Sequence, residues 1–159
     1  NQIYEKMKYL VVLAFRVFII SGCNTETIFK EYNSFDDVSW NRFDTQNFEF
    51  AVEGDIPVDL YLAIRHHTDF PYDYIDMNIT LYTPDGEMRS REYHYKLKNE
   101  NSQWKGDGMG EIWDIELPIR KNMIFNKDGI CKVSIENKMT KLETPGIIEI
   151  GLIVNKAKD

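Results

Sequence analysis

The chain has 159 residues, enough for one domain with a single core of ordinary size. Hydrophobic residues at 43% and charged residues at 28% exclude an intrinsically disordered chain. The formal net charge is −7, and residues 23–159 alone hold 16 basic and 25 acidic side chains, a net of −9; that balance excludes charge-driven attraction to nucleic acid phosphates or to an anionic bilayer.

At the start of the chain, Lys6 and Lys8 precede an apolar run, Tyr9 to Ile20, that leads into Ser21-Gly22-Cys23. A basic end, a short apolar run and small residues before a cut site describe an export signal over 1–22, with Met7 as its expected start. The run of roughly a dozen residues is too short for a membrane-spanning helix, which needs about 20. Arg16 lies inside it, where a charge costs ~2.5–3.5 kcal/mol at the centre of a membrane helix. Ile20-Ser21-Gly22-Cys23 fits the bacterial lipobox. The small residues admit an extended chain to a peptidase, and the Cys23 thiol is the expected acceptor of a diacylglycerol. Two or three acyl chains anchor stably where one would not, at about 0.8 kcal/mol per buried CH₂. No cofactor is expected beyond this covalent lipid. Asn24 stands where Asp would favour inner-membrane retention, so the outer membrane is the expected location. Whether the domain faces the periplasm or the outside stays open.

Residues 23–36 read as lipid anchor and tether, polar and without a period, and residues 37–159 as one β-domain. From Val38 on, period-2 alternation dominates. Phe48, Phe50 and Val52 share a face, as do Val58, Leu60, Leu62 and Ile64, and then Ile75, Met77, Ile79 and Leu81. Arg91, Tyr93, Tyr95 and Leu97 share a face of what reads as an outer strand. Strands follow around Trp113 and Ile115, through Cys131, Val133 and Ile135, and through Ile148, Ile150, Leu152 and Val154. Pro84-Asp85-Gly86 reads as a hairpin turn, and Asp128-Gly129 and Pro145-Gly146 precede the last two long strands. Aromatic residues at 13% suit a pleated surface. The expected fold is an all-β antiparallel sandwich of about seven or eight strands, with a jelly roll among its arrangements.

Several groupings invite a chemical reading. His66 and His67, near Asp69 and Asp73, would point to opposite faces of a strand, so a metal cluster is not expected. His94, in a tyrosine-rich strand, reads as solvated or hydrogen-bonded. Trp104-Lys105-Gly106-Asp107-Gly108-Met109-Gly110 superficially resembles a phosphate loop but lacks its spacing and a following helix. Its glycines point to a close-packed loop or bulged strand entry. Trp104, Gly106, Gly108 and Gly110 are accordingly the candidate partner-contact loop rather than a catalytic one. Cys131 alternates with core residues and reads as a small core side chain. No acid/base pair, Gly-x-Ser-x-Gly or His-Glu-x-x-His stands out, and no catalytic residue is assigned. Trp40, Trp104 and Trp113 could build a sugar-stacking platform, though filling the core is the simpler use.

Ser39-Trp40, Leu62-Ala63-Ile64-Arg65, Asp69-Phe70-Pro71-Tyr72, Pro84-Asp85-Gly86, the 104–110 loop and Gly146-Ile147-Ile148-Glu149-Ile150-Gly151-Leu152 follow the lipobox and Tyr32 in order. In that order they resemble the gliding motility lipoprotein family GldH over nearly the whole mature chain. The resemblance implies a cell-envelope lipoprotein lipidated at Cys23. It would be a non-enzymatic accessory of the gliding and associated protein-export machinery, acting on envelope protein partners. A glycan-binding β-sandwich lipoprotein is the alternative, and an envelope hydrolase a third reading.

Overall fold

The computed structural model describes residues 25–158, so the expected export signal and Cys23 lie outside the described residues. The described chain is all β, with no helix. Its strands are β1 (Thr27–Ser34), β2 (Ser39–Asn41), β3 (Gln46–Val52), β4 (Val58–His67), β5 (Tyr74–Tyr82), β6 (Met88–Lys96), β7 (Asp107–Met109), β8 (Ile112–Met123), β9 (Gly129–Asn137), β10 (Glu143–Pro145) and β11 (Ile147–Lys156). Three of the eleven have only three residues; of the other eight, seven are the alternating runs read from the sequence and the eighth is β1.

Two antiparallel sheets carry the fold, in the orders β1-β11-β4-β8-β7 and β3-β9-β5-β6, and β10 and β2 form a separate ribbon. Among the eight long strands, successive strands change sheet at every connection except the β5–β6 hairpin. Numbered by themselves in chain order, the eight lie 1-8-3-6 and 2-7-4-5, the wrapping of a jelly roll. The turn of the β5–β6 hairpin is the expected Pro84-Asp85-Gly86, with Gly86 at φ 88°. Its closing bonds run from Thr83 N to Glu87 O (2.9 Å) and from Gly86 N to Thr83 O (3.0 Å).

One core joins the two inner faces. Phe48, Phe50, Leu60, Leu62, Ile64, Ile75, Met77, Ile79, Cys131, Val133 and Ile135 are all buried in it, as the period-2 reading placed them. The last strand departs from that reading. A register irregularity between Ile147 and Glu149 reverses the alternation, so Ile147 joins Ile150, Leu152 and Val154 inside while Ile148 is only half-buried.

The open sides of the sandwich are closed by aromatic side chains. Phe29 of β1 meets Phe50 of β3 at 5.5 Å between ring centroids. On the other side, β6 is an edge strand, as expected, and its stacked rings Tyr93 and Tyr95 donate hydroxyl hydrogens to the carbonyls of Ile119 and Pro118 in the facing sheet, both at 3.0 Å. Burial raises the pKa of both phenols, so they stay neutral donors.

Part of the stretch read as tether is structured. Thr27–Ser34 pairs along β11 as the edge strand β1. It lacks an alternating signature because only Phe29 and Asn33 turn partly inward. Trp40 of β2 is fully buried, and its indole N–H donates to Asp44 O at 2.7 Å. Asn137, also buried, ties this ribbon down by donating to Trp40 O (3.1 Å) and Thr144 Oγ1 (2.9 Å).

Candidate partner-contact site

The 104–110 segment becomes a short β7–β8 hairpin on the edge of the larger sheet. Its approach is fixed by an Asn99 turn: the Asn99 side-chain oxygen accepts from the N–H groups of Asn101 (2.9 Å) and Gln103 (3.0 Å). Trp104 then pairs with Lys98 in an isolated bridge, and its indole N–H donates to Thr68 O at 3.2 Å. The ring stands edge-on to His66 at 4.6 Å, and the Lys98 ammonium lies 4.4 Å from its centroid. Trp104 therefore caps one end of the core and holds the base of the hairpin.

The glycines of this loop serve distinct ends. Gly106 adopts φ 91°, and a Cβ on it would stand 2.1 Å from the Asp114 carbonyl oxygen. Gly108 faces Trp113, its register partner, and a Cβ would meet the indole carbons at 2.8–2.9 Å. Gly110, at φ 62°, lies at the turn with open space around it. The structure thus bears out the reading of a close-packed strand entry. It brings Trp104, Gly106 and Gly108 into support of the hairpin, leaves the turn to Gly110 and Glu111, and exposes Met109 beside it to 85%. Nothing in the sequence singled out Met109. Its exposure follows from a two-residue turn whose position the glycine spacing alone does not give.

Behind the hairpin, on the outer face of the sheet, Arg65 makes a bidentate pair with Asp114 (2.7 and 3.1 Å) and reaches Glu149 at 3.4 Å. The hydrogen bond to Asp114 raises the arginine pKa against an opposing contribution from burial. This row crosses three neighbouring strands and could not be read without their register.

The histidines take different environments. His66 is buried and His67 half-exposed, on opposite faces as alternation requires. His66 Nδ1 lies 2.9 Å from His67 O, which fits an Nδ1–H donor. Burial lowers its pKa, so it is held neutral. Its Nε2 and the indole N–H of the cross-strand neighbour Trp113 are buried without a protein partner. His67 approaches Glu111 at 3.3 Å. His94 is exposed, stacks on Tyr74 and pairs with Asp76 at 2.6 Å, the solvated, hydrogen-bonded state expected of it. Cys131 is buried, its thiol pKa pushed up to about 12 by desolvation. Among the described residues no three His, Cys, Asp or Glu side chains gather as a metal site. Of the tryptophans, Trp40 is in the core, Trp104 lies between His66 and Lys98, and Trp113 faces Gly108.

The chain is 26% identical over 154 residues to the "Gliding motility lipoprotein GldH homolog" of Christiangramia forsetii, covering 92% of this chain and 94% of that one. Among solved structures, it is similar to the infectious bursal disease virus VP2 subviral particle (14% identity, TM-score 0.38, covering 89% of this chain and 36% of that one). It is also similar to TmCBM61 in complex with β-1,4-galactotriose (13% identity, TM-score 0.31, covering 85% and 92%). The family model described as GldH lipoprotein matches residues 27–154, from the first residue of β1 nearly to the end of β11, and the chain belongs to that family.

Proposed function

We propose that this protein is a lipid-anchored component of the cell envelope, acylated at Cys23, that works by binding protein partners of the gliding and associated export machinery rather than by catalysis. The observation that carries the reading is the match of a lipoprotein family over residues 27–154, directly downstream of Ile20-Ser21-Gly22-Cys23. Family membership supports a membrane-associated place in the envelope. Asn24 after the cysteine favours the outer membrane. The β7–β8 hairpin is the proposed contact: Trp104, Gly106 and Gly108 fix its base, and Met109 stands exposed beside the Gly110-Glu111 turn. An acidic domain has no charge-based use for nucleic acid, which leaves envelope proteins as the favoured partners and a glycan as the alternative.

Two measurements test this. Intact mass of the chain extracted from membranes, beside Cys23→Ala, should show a mature chain beginning at Cys23 with acyl mass and an unprocessed variant. A photo-crosslinking residue in place of Met109 should capture envelope proteins in cells, and one in place of the exposed Ile130 on the opposite sheet should not. An unmodified Cys23 would sink the anchor, and equal capture at both positions would sink the hairpin as the contact.

A further inference from the structure

We infer that the end of the sandwich where β1 begins rests on the lipid bilayer, so that the domain stands end-on with Phe43 and Leu142 pointing away from the membrane. The inference rests on the lipidation of Cys23 proposed above.

Few residues separate Cys23 from the domain. Glu26 is already held: its carbonyl accepts from Lys156 N–H at 2.8 Å, and its carboxylate lies 3.5 Å from Lys156 Nζ. Three residue steps separate Cys23 from Glu26 and reach at most ~11 Å at ~3.6 Å per residue. The headgroup layer above the hydrocarbon on each side takes up ~5–8 Å of that reach. Only a few ångströms of slack remain, less than the length of an extended side chain, and this end of the domain stays in contact with the interface.

The surface at this end suits that position. β1 starts here, β8 and β11 finish here and β4 begins here, since Thr27 pairs with Asn155, Lys156 with Val58, and Val58 with Met123. A cleft opens between the edges of the two sheets, with Ile28, Ile56 and the buried Val58 and Val154 at its floor and Glu26, Glu53 and Lys156 at its rim. Ile28 is 44% exposed, and so is Ile124, at 53%, in the neighbouring loop that Phe125 O joins to Asp55 N. Charges here are of both signs, Lys127 and Lys156 against Glu26, Glu53 and Asp55. Apolar insertion at the boundary of headgroups and acyl chains, rather than attraction to anionic lipid, is therefore what the surface offers. β4 spans ten residues, so at ~3.3 Å per residue the β2–β10 ribbon with Phe43 and Leu142 stands roughly 30 Å further out.

The test uses the full processed lipoprotein in phosphatidylcholine vesicles with brominated acyl chains. Ile124→Cys, Ile28→Cys and Phe43→Cys each receive a bromine-quenched fluorophore; Cys131 is buried and stays unlabelled. The expected result is several-fold stronger quenching at Ile124 and Ile28 than at Phe43, little changed by adding anionic lipid. Equal quenching at all three, or none, in protein whose intact mass carries the acyl chains would overturn the orientation and leave the anchor standing. A mass without acyl chains would remove the lipidation reading and this inference with it.

Discussion

The Tyr32 ring lies on Gly151 of the neighbouring strand: a Cβ at Gly151 would stand 2.4 Å from Cδ1 of the tyrosine and 2.8 Å from the Glu31 carbonyl oxygen. The two residues are register partners of β1 and β11. Gly151 therefore sets how closely β1 approaches β11. Gly151→Ala should destabilise the domain by about 1–3 kcal/mol, the usual cost of overpacking. Hydrogen exchange should show faster opening of the Thr27–Ser34 amides than of β4. Unchanged protection of β1 would mean that Tyr32 simply swings away.

The three glycines of the 104–110 loop should respond differently to alanine. Gly106→Ala meets both a backbone oxygen and a positive φ, and should cost several kcal/mol or detach β7. Gly110→Ala meets only the φ of 62° in open space and should cost about 1 kcal/mol. Thermal unfolding of the two variants side by side gives the order. A Gly110 variant as damaging as the Gly106 one would contradict the hairpin geometry.

These residues also show what could be read from the chain alone. Alternation placed Phe48, Leu60, Met77 and Val133 inside because a strand with one buried face repeats every two residues. It missed β1, an edge strand with little inward surface, and it misplaced Ile148, where a bulge shifts the phase. It also could not see Arg65 against Asp114 and Glu149, or His66 beside Trp113, because such pairs exist only once the strand register is fixed. The glycine run was recognisable as a packed loop, yet which of its residues would be exposed depended on where the turn falls.

Arg65, Asp114 and Glu149 form a solvent-facing network, with the arginine side chain 40% exposed and Asp114 52% exposed. Such pairs contribute little in water. Asp114→Asn should cost no more than about 1 kcal/mol, with part of that cost disappearing at high salt. Chemical denaturation at low and high ionic strength checks this. A larger, salt-independent loss would mean that Asp114 acts mainly through its contact with the β7 hairpin.

His66 gives the domain an acid-sensitive element. Its folded pKa lies below the ordinary histidine value because burial disfavours the charged ring. The unfolded chain therefore binds the proton more readily. The stability associated with a neutral His66 is fully present above pH ~6.5 and is lost as pH falls from there through the lowered folded value. Melting temperature should drop between pH 7 and pH 5, and His66→Phe, which keeps a flat ring beside Phe70 and Trp104, should flatten that part of the profile. An unchanged slope in the variant would assign the acid sensitivity to other groups.

Cys131 supplies a probe of opening. Burial pushes its thiol up to about 12, so the folded chain offers almost no thiolate at neutral pH, and the side chain has no solvent access. The folded pKa is raised above the unfolded value, so the protonated thiol's contribution is complete below the unfolded pKa and is lost as pH climbs above it. Alkylation at pH 7–8 should proceed only through unfolding, at a rate that rises with denaturant in step with the loss of β structure. Cys131→Ala should cost about 1 kcal/mol and abolish the labelling. Rapid labelling of the native chain would instead place a breathing motion between β3 and β9, whose Phe50 is the register partner of Cys131. That outcome would put the opening on the side of the sandwich where Phe29 of β1 meets Phe50 and closes the core.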